Sequence, residues 1–271
     1  TLLLDDDNVI QQARLHIVEF RGFEKFIQGR PYWELPLIVQ RLCGICPVSH
    51  HLAAAKAIDQ IAGASPLTET ADKLRRLLHL GQTLQSHALH FFHLASPDLL
   101  FGFDSEVAKR NIVGVIEAHP DIALQGVKIR KFGQEIIKAI TGKRIHGTAA
   151  IPGGMNRPLN PTDQQLLLQQ TKQIIQWCSQ AVNLARTLYE KNQPYHREFA
   201  TIQTPFLSLV DKDGNWEIYD GKLRVKDPNG SLYFDQFDAH NYTDLINEQV
   251  KSWSYMKFPF FKERGTEQGW Y

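Results

Sequence analysis

The sequence predicts a mainly α protein with small β elements, an α+β fold. Two observations carry this: apolar residues recur at helical spacing through most of 35–200, and strand-like alternation is confined to 1–20 and 206–234. The 271 residues suffice for one large or two modest domains. The expectation is one domain over 1–271, incomplete at both ends, because the chain opens inside a strand without an initiator methionine and stops at "EQGWY" without a helix cap.

The elements follow in order. "TLLLDDDNVIQQARLHIVEF" reads as a hairpin over 1–20 around an Asp–Asn turn, with Ala13, Leu15 and Ile17 on one face and Arg14, His16, Val18 and Phe20 on the other. A turn-rich segment with a short helical piece follows. Leu35–Val39 then forms a short helix, and Pro47 opens another that runs to about Ala62. Ala53, Ala54, Ala55 and Ala57 make that helix slim enough for close packing. A long helix starts at Pro66 or Thr68, carries Leu74, Leu77, Leu78, Leu84 and Leu89, and is ended by Pro97. Helical pieces continue to Thr141 with a break at His119–Pro120. "GKRIHGTAAIPGGMNRPLN" is a loop, and Asn160–Pro161 caps a helix reaching about Lys191. Turn signals at Asp213–Gly214, Asp220–Gly221 and Asn229–Gly230 separate short alternating runs over 206–234, a β-meander.

Composition excludes several classes. A net charge of +1 gives no electrostatic case for nucleic acid. No apolar run approaches the ~18 residues of a membrane span. The acidic start lacks the basic region of a signal peptide. Three cysteines make no disulfide framework, so a reducing, cytoplasmic setting is expected.

Two of those cysteines stand in "RLCGICPVSHH", residues 41–51. Cys43 and Cys46 leave three readings open: half of a structural zinc site, a thioredoxin-like redox pair, or a transition-metal site completed elsewhere. Cys178, beside Trp177 in an apolar helical pattern, is assigned to the core.

"RGFE", residues 21–24, stands fifteen residues before "QRLCGIC". Together these resemble the N-terminal signature of the large subunit of nickel–iron hydrogenases. The run "VEFRGFEKFIQGRPYWELPLIVQRLCGICPVSHHLAAAKAIDQIAG" looks most like the bidirectional, NAD-linked group, and "HGTAAIPGG" and "SHALHFFHLASPDLL" extend the likeness over the whole chain.

The resemblance implies a long-helix bundle of the large-subunit type and a catalytic subunit for reversible hydrogen oxidation. It implies a nickel–iron centre, its iron carrying carbon monoxide and cyanide. Cys43 would be a terminal nickel ligand and Cys46 a nickel–iron bridge, soft thiolates suiting nickel. Hydrogen would be split heterolytically, the proton going to a terminal thiolate. Glu24 would hold a magnesium or iron ion, a hard carboxylate suiting it; an ordinary salt bridge to Arg21 or Lys25 is the alternative. Implied partners are a small subunit with an iron–sulfur cluster and NAD-reducing diaphorase subunits, with NAD and the clusters on those partners only. The family's second Cys-x-x-Cys and its upstream Glu-Gly-His segment are absent here, so these residues hold half a site and are expected to be inactive alone.

His50 lies one helical turn past Cys46 and can reach its sulfur. His51 faces elsewhere. Arg41 steadies the loop, opposes thiolate charge, or is simply a surface arginine. His87, His90 and His93 step by three along one helix; a semi-buried helical face is preferred over a metal site. Pro152–Gly154 lets backbone approach something closely. The competing function is a metal-free hydrogenase-like scaffold subunit of a respiratory-type complex, which the cysteines argue against; a zinc-stabilised interaction module is more distant.

Overall fold

The structure is a computed structural model that describes residues 1–19 and 22–262. The expected strand position of Phe20, an Arg21 pairing with Glu24, and the C-terminal "EQGWY" lie outside the described residues. The chain forms two compact units, Ile27–Phe199 and Thr1–Phe26 with Ala200–Tyr271. As expected, it is mainly helical with a few small sheets.

The Thr1–Phe26 with Ala200–Tyr271 unit opens with β1 (Leu2–Leu4) paired antiparallel to β2 (Ile10–Ala13). Asp5 Oδ1 accepts from the backbone N–H groups of Asp7 and Val9, and Asn8 takes a φ of 61° to close the turn. This hairpin is shorter than the sequence suggested. Its ladder ends where the Arg14 amide donates to Thr1 O, and Ile17 bonds instead to Ser254 Oγ and the Tyr255 amide. The helix α1 (Phe23–Phe26) follows.

The same unit holds β5 (Phe206–Val210), β6 (Lys222–Lys226) and β7 (Leu232–Phe237), an antiparallel sheet in the order β5-β6-β7. Along β6, Leu223 and Val225 are buried while Arg224 points outward to a two-point pair with Asp235, the alternation expected of a half-buried strand. Asp227 Oδ1 binds the amides of Asn229 and Ser231, which with Gly230 at φ 89° makes the hairpin turn. A further hairpin, β8 (Ile246–Val250) and β9 (Lys257–Phe261), was not anticipated; Phe258 is buried on one of its faces and Phe261 on the other.

The Ile27–Phe199 unit is helical. After a 3-10 turn at Tyr32–Glu34 come α2 (Leu35–Ile38), a 3-10 turn at Val39–Leu42 and α3 (Pro47–Ile61). The buried stripe of α3 is Val48, His51, Leu52, Ala55, Ile58 and Asp59. Of the four alanines expected to allow close packing only Ala55 is buried; Ala53 and Ala57 face solvent.

The next helix, α4 (Glu69–Leu89), starts at Thr68, whose Oγ1 accepts from the Ala71 amide 3.3 Å away. Its buried stripe is Ala71, Leu74, Arg75, Leu78, Gly81, Gln82, Gln85 and Ala88. Pro97 does not end it in the way expected. A π-helical segment, His90–Ala95, carries the chain directly into α5 (Ser96–Phe101), where Pro97 sits in the first turn.

Asn111 caps α6 (Ile112–Ala118), and α7 (Pro120–Thr141) begins at the expected break. Helices α4 and α7 approach closely through glycine, a Cβ on Gly133 standing 2.6 Å from Gly81 O, and one on Gly126 of α7 would meet Phe92 of the π-helical segment at 2.3 Å. The loop after α7 contains a small antiparallel pair, β3 (Ala150–Ile151) with β4 (Gly154–Met155). Asn160 Oδ1 accepts from the Thr162 amide and starts α8 (Pro161–Lys191), of which only Ile174 and Leu188 are buried, before α9 (Gln193–Glu198).

Candidate metal centre

The cysteine loop joins the Val39–Leu42 turn to α3. Cys43 leaves the helical path at φ −144°, ψ 132°, and Cys46 is the residue preceding the first turn of α3, with Pro47 just inside it. This bend returns the Cys46 amide to Cys43 Sγ, 3.1 Å away. One turn later, His50 Nε2 lies 3.7 Å from Cys46 Sγ. The two sulfurs and one imidazole nitrogen lie within 4.8 Å of one another, and among the described residues no other group of three His, Cys, Asp or Glu side chains converges in this way.

The pair is electrostatically unequal. Burial pushes the Cys43 thiol up, but hydrogen bonds from the Cys46 thiol and from the Cys46 and Ile45 amides outweigh it and leave Cys43 below the usual thiol range. Cys46 is pushed up to about 11, first by burial, then by donating to Cys43 and facing its charge. The field of the α3 N-terminus alone would favour a thiolate at Cys46; the Cys43 charge and burial win. The first thiolate therefore forms at Cys43. Burial also holds His50 below the usual histidine range, so its ring is a neutral ligand or hydrogen-bond partner.

The surrounding polar groups fix the loop. Gln85 Nε2 donates to Ile45 O at 2.8 Å, and Gln82 binds the Ser49 amide through Oε1 and Ser49 Oγ through Nε2. His51, buried, spans three segments: Nδ1 donates to Pro36 O at 2.8 Å, and Nε2 accepts from the Ala149 and Ala150 amides at 3.2 and 3.0 Å. Behind Gly44, Ile45 and Pro47 lies a cavity of about 30 Å³, lined also by Gln85, Arg130 and Arg144, large enough for one or two waters.

The predicted site residues divide. Cys43, Cys46 and His50 come together. Arg41 is exposed and places Nη1 2.9 Å from His146 Nδ1. Glu24, on α1, is solvent-exposed and pairs with Lys257 Nζ at 3.0 Å. His87 and His90 are exposed and His93 is half-buried; the π-helical segment breaks their register of three, and among the described residues they do not gather with other metal-ligating side chains. Cys178 is half-buried beside an apolar cavity lined by Leu84, Phe132 and Val182, and burial raises its thiol. The close approach made by Pro152–Gly154 is to Asp59 and Arg75: Gly153, at φ 77°, donates its amide to Asp59 Oδ1 at 2.8 Å, and Arg75 Nη2 donates to Ile151 O and Gly154 O. Gln82, Gln85 and His146 were not singled out from the sequence, and His51 was set aside as facing elsewhere.

Two thiol sulfurs and an imidazole at the mouth of a helix suit a borderline or soft transition ion, nickel included, and suit a hard ion poorly. Residues 21–103, which contain this site, match the family described as Nickel-dependent hydrogenase. It is 44% identical, over 98% of its length, to the NAD-reducing hydrogenase HoxS subunit beta of Cupriavidus necator, of which it covers 57%. It is 42% identical over its whole length to one subunit of the F420-non-reducing hydrogenase of Methanothermobacter marburgensis, again covering 57%. A solved NAD+-reducing [NiFe]-hydrogenase in the H2-reduced state superposes with a TM-score of 0.94 at 52% identity, over 100% of this chain and 60% of that one. The chain thus spans somewhat more than half the length of these relatives, and its fold is that of the nickel–iron hydrogenase large subunit.

Proposed function

We propose that this chain is the nickel-ligating N-terminal part of a hydrogenase catalytic subunit that interconverts hydrogen with protons and electrons. The observation that carries the reading is the convergence of Cys43, Cys46 and His50 inside the matched stretch. Cys43 would be a terminal ligand to nickel, and Cys46 a bridge between nickel and an iron carrying carbon monoxide and cyanide. When bound, that centre supplies the redox chemistry of hydrogen cleavage. The chain's own contribution is to present two thiolates at fixed spacing, to let Cys43 hold or release a proton at Sγ, and to place the His50 ring against the Cys46 sulfur.

With two thiolates here, further ligands would come from sequence beyond these residues, and these residues alone would be inactive. Glu24 would hold a magnesium or iron ion, exchanging its Lys257 pair for the metal. The 1–271 stretch would be one portion of a single large-subunit domain.

Coupling to NAD is the finer part of the proposal. It is supported by the similarity to NAD-reducing relatives at 44% and 52% identity, although an F420-non-reducing relative stands at 42%. NAD and iron–sulfur clusters would reside on partners, a small subunit and diaphorase subunits, in the cytoplasm. Among the described residues no helix is long and apolar enough to cross a membrane. Metal analysis of the full-length protein, with hydrogen uptake assayed against NAD and against artificial acceptors, tests the proposal. Nickel plus iron with NAD-dependent uptake is expected. Zinc alone would make it an interaction module, and no metal would make it a scaffold subunit.

A further inference from the structure

We infer that His146 is a positioning residue for the cysteine loop, holding the Cys43 carbonyl and itself oriented by Arg41. The inference rests on the reading of Cys43 and Cys46 as metal ligands and names a residue that this reading leaves without a role.

The geometry admits one arrangement of protons. Arg41 Nη1 lies 2.9 Å from His146 Nδ1. A guanidinium has only donors, so Nδ1 must accept. A neutral ring then carries its proton on Nε2, and Nε2 lies 3.3 Å from Cys43 O, which can only accept. The other tautomer would oppose two N–H groups at one end of the ring and two lone pairs at the other. A single tautomer thus satisfies two contacts to residues 105 and 103 positions away.

The backbone is shaped to deliver this ring. His146 has a φ of 52°, in the left-handed region that few residues other than glycine occupy, histidine more often than most. Gly147 follows without a side chain because a Cβ there would stand 1.9 Å from Thr141 Oγ1. Thr141 Oγ1 in turn donates to Lys143 O at 2.8 Å, closing the turn after α7.

Holding Cys43 O matters because that peptide is the hinge of the chelate. Rotation about Cys43 ψ carries Gly44, Ile45 and Cys46 as a body, and so changes the separation of the two sulfurs. Gln85 restrains the far side through Ile45 O, and His146 restrains the near side through Cys43 O. Groups that orient a ligand in this way are worth about 10–100-fold in metal affinity or activity.

The test uses the full-length protein and three variants. His146→Leu removes both contacts; His146→Gln keeps a donor for Cys43 O and an acceptor for Arg41; Arg41→Met removes only the group that selects the tautomer. Nickel retention against a chelator should fall about 10–100-fold in His146→Leu and recover largely in His146→Gln. Independently of metal, 15N spectra of histidine-labelled protein should show His146 as the Nε2–H tautomer, with its resonance identified by loss in His146→Gln. In Arg41→Met the bias should weaken and nickel retention should drop, which keeps the test decisive if His146→Leu does not fold. An Nδ1–H tautomer overturns the inference, as does wild-type nickel retention in a folded His146→Leu or in Arg41→Met. A wild-type protein that binds no nickel would defeat the metal reading, while the tautomer and its response to Arg41→Met would still decide whether the clamp exists.

Discussion

Replacing Arg75 by methionine should destabilise the Ile27–Phe199 unit by about 3–5 kcal/mol, the cost of breaking a buried pair and leaving one charge behind. The Arg75 side chain is fully buried and that of Asp59 nearly so; Nη1 stands 2.5 Å from Asp59 Oδ2, and Nη2 reaches Asp59 Oδ1 at 3.3 Å. Nη2 also donates to Ile151 O at 2.9 Å and Gly154 O at 3.0 Å, so the same guanidinium ties α3, α4 and the β3–β4 turn. Methionine fills much of the volume but donates nothing. Asp59 keeps only the Gly153 amide, and two carbonyls lose a donor at about 1 kcal/mol each or more. Adding Asp59→Leu removes the stranded charge, so Arg75→Met with Asp59→Leu should be more stable than Arg75→Met alone. Urea unfolding at constant m-value reads the free energies, and a thermal scan should show a loss of about 6–20 °C for the single variant. A single-variant cost below about 1 kcal/mol, or a double variant no better than the single, would refute the argument that a buried charge pair organises this corner.

Three other outcomes are expected. In the full-length protein, Cys43→Ser and Cys46→Ser should each abolish hydrogen activity and nickel binding, since a hydroxyl cannot replace a soft thiolate, while Cys178→Ser keeps both; activity surviving in either loop variant would remove the site assignment. Glu24→Gln should lower magnesium and nickel content and thermal stability more than activity per bound nickel, whereas Lys257→Met, which removes the Lys257 pairs with Glu24 and Glu248, should leave metal content intact; full metal loading with near-zero activity in Glu24→Gln would make Glu24 a catalytic group instead. The Lys222 ammonium first, and then the His240 backbone and ring, hold the Asp238 carboxyl far below the usual range. A depressed carboxylate stabilises above its unfolded value of about 3.9, and that contribution is lost as pH falls through the folded value. The urea-midpoint difference between wild type and Asp238→Asn should therefore be constant above about pH 5 and shrink below about pH 4, and a flat difference down to pH 2 would exclude the linkage.

Some elements were legible because local chemistry alone determines them. Asn160–Pro161 starts α8 and Thr68 starts α4 through side-chain oxygens a sequence displays directly. Pro97 misled because proline stops a helix only where its missing N–H or its ring meets the preceding turn. Here a π-helical segment stands immediately before it, and the wider turn lets the helical path continue into α5. The β2 expectation ran past Ala13 because alternation in Leu15, Ile17 and Val18 says nothing about which strand will pair with it. The actual partners of Ile17, Ser254 and Tyr255, are remote in sequence.

The same asymmetry governs the metal centre. Cys43, Cys46 and His50 could be found because their spacing is local, i to i+3 and i+4. Gln82 and Gln85 were passed over although they lie in phase with Leu74 and Leu78 on the buried stripe of α4. A buried primary amide on such a stripe is costly unless it is bonded, so its presence is a signal that backbone groups lie opposite needing partners. Here those groups are Ile45 O and the Ser49 amide, on either side of the cysteine loop's junction with α3. A loop with extended backbone at Cys43 and a helix beginning with proline has few local hydrogen bonds of its own. The rigidity that a chelating pair of thiols needs must then be supplied from outside the loop, and α4 supplies it from a helix whose close, glycine-mediated contact with α7 leaves little room to move.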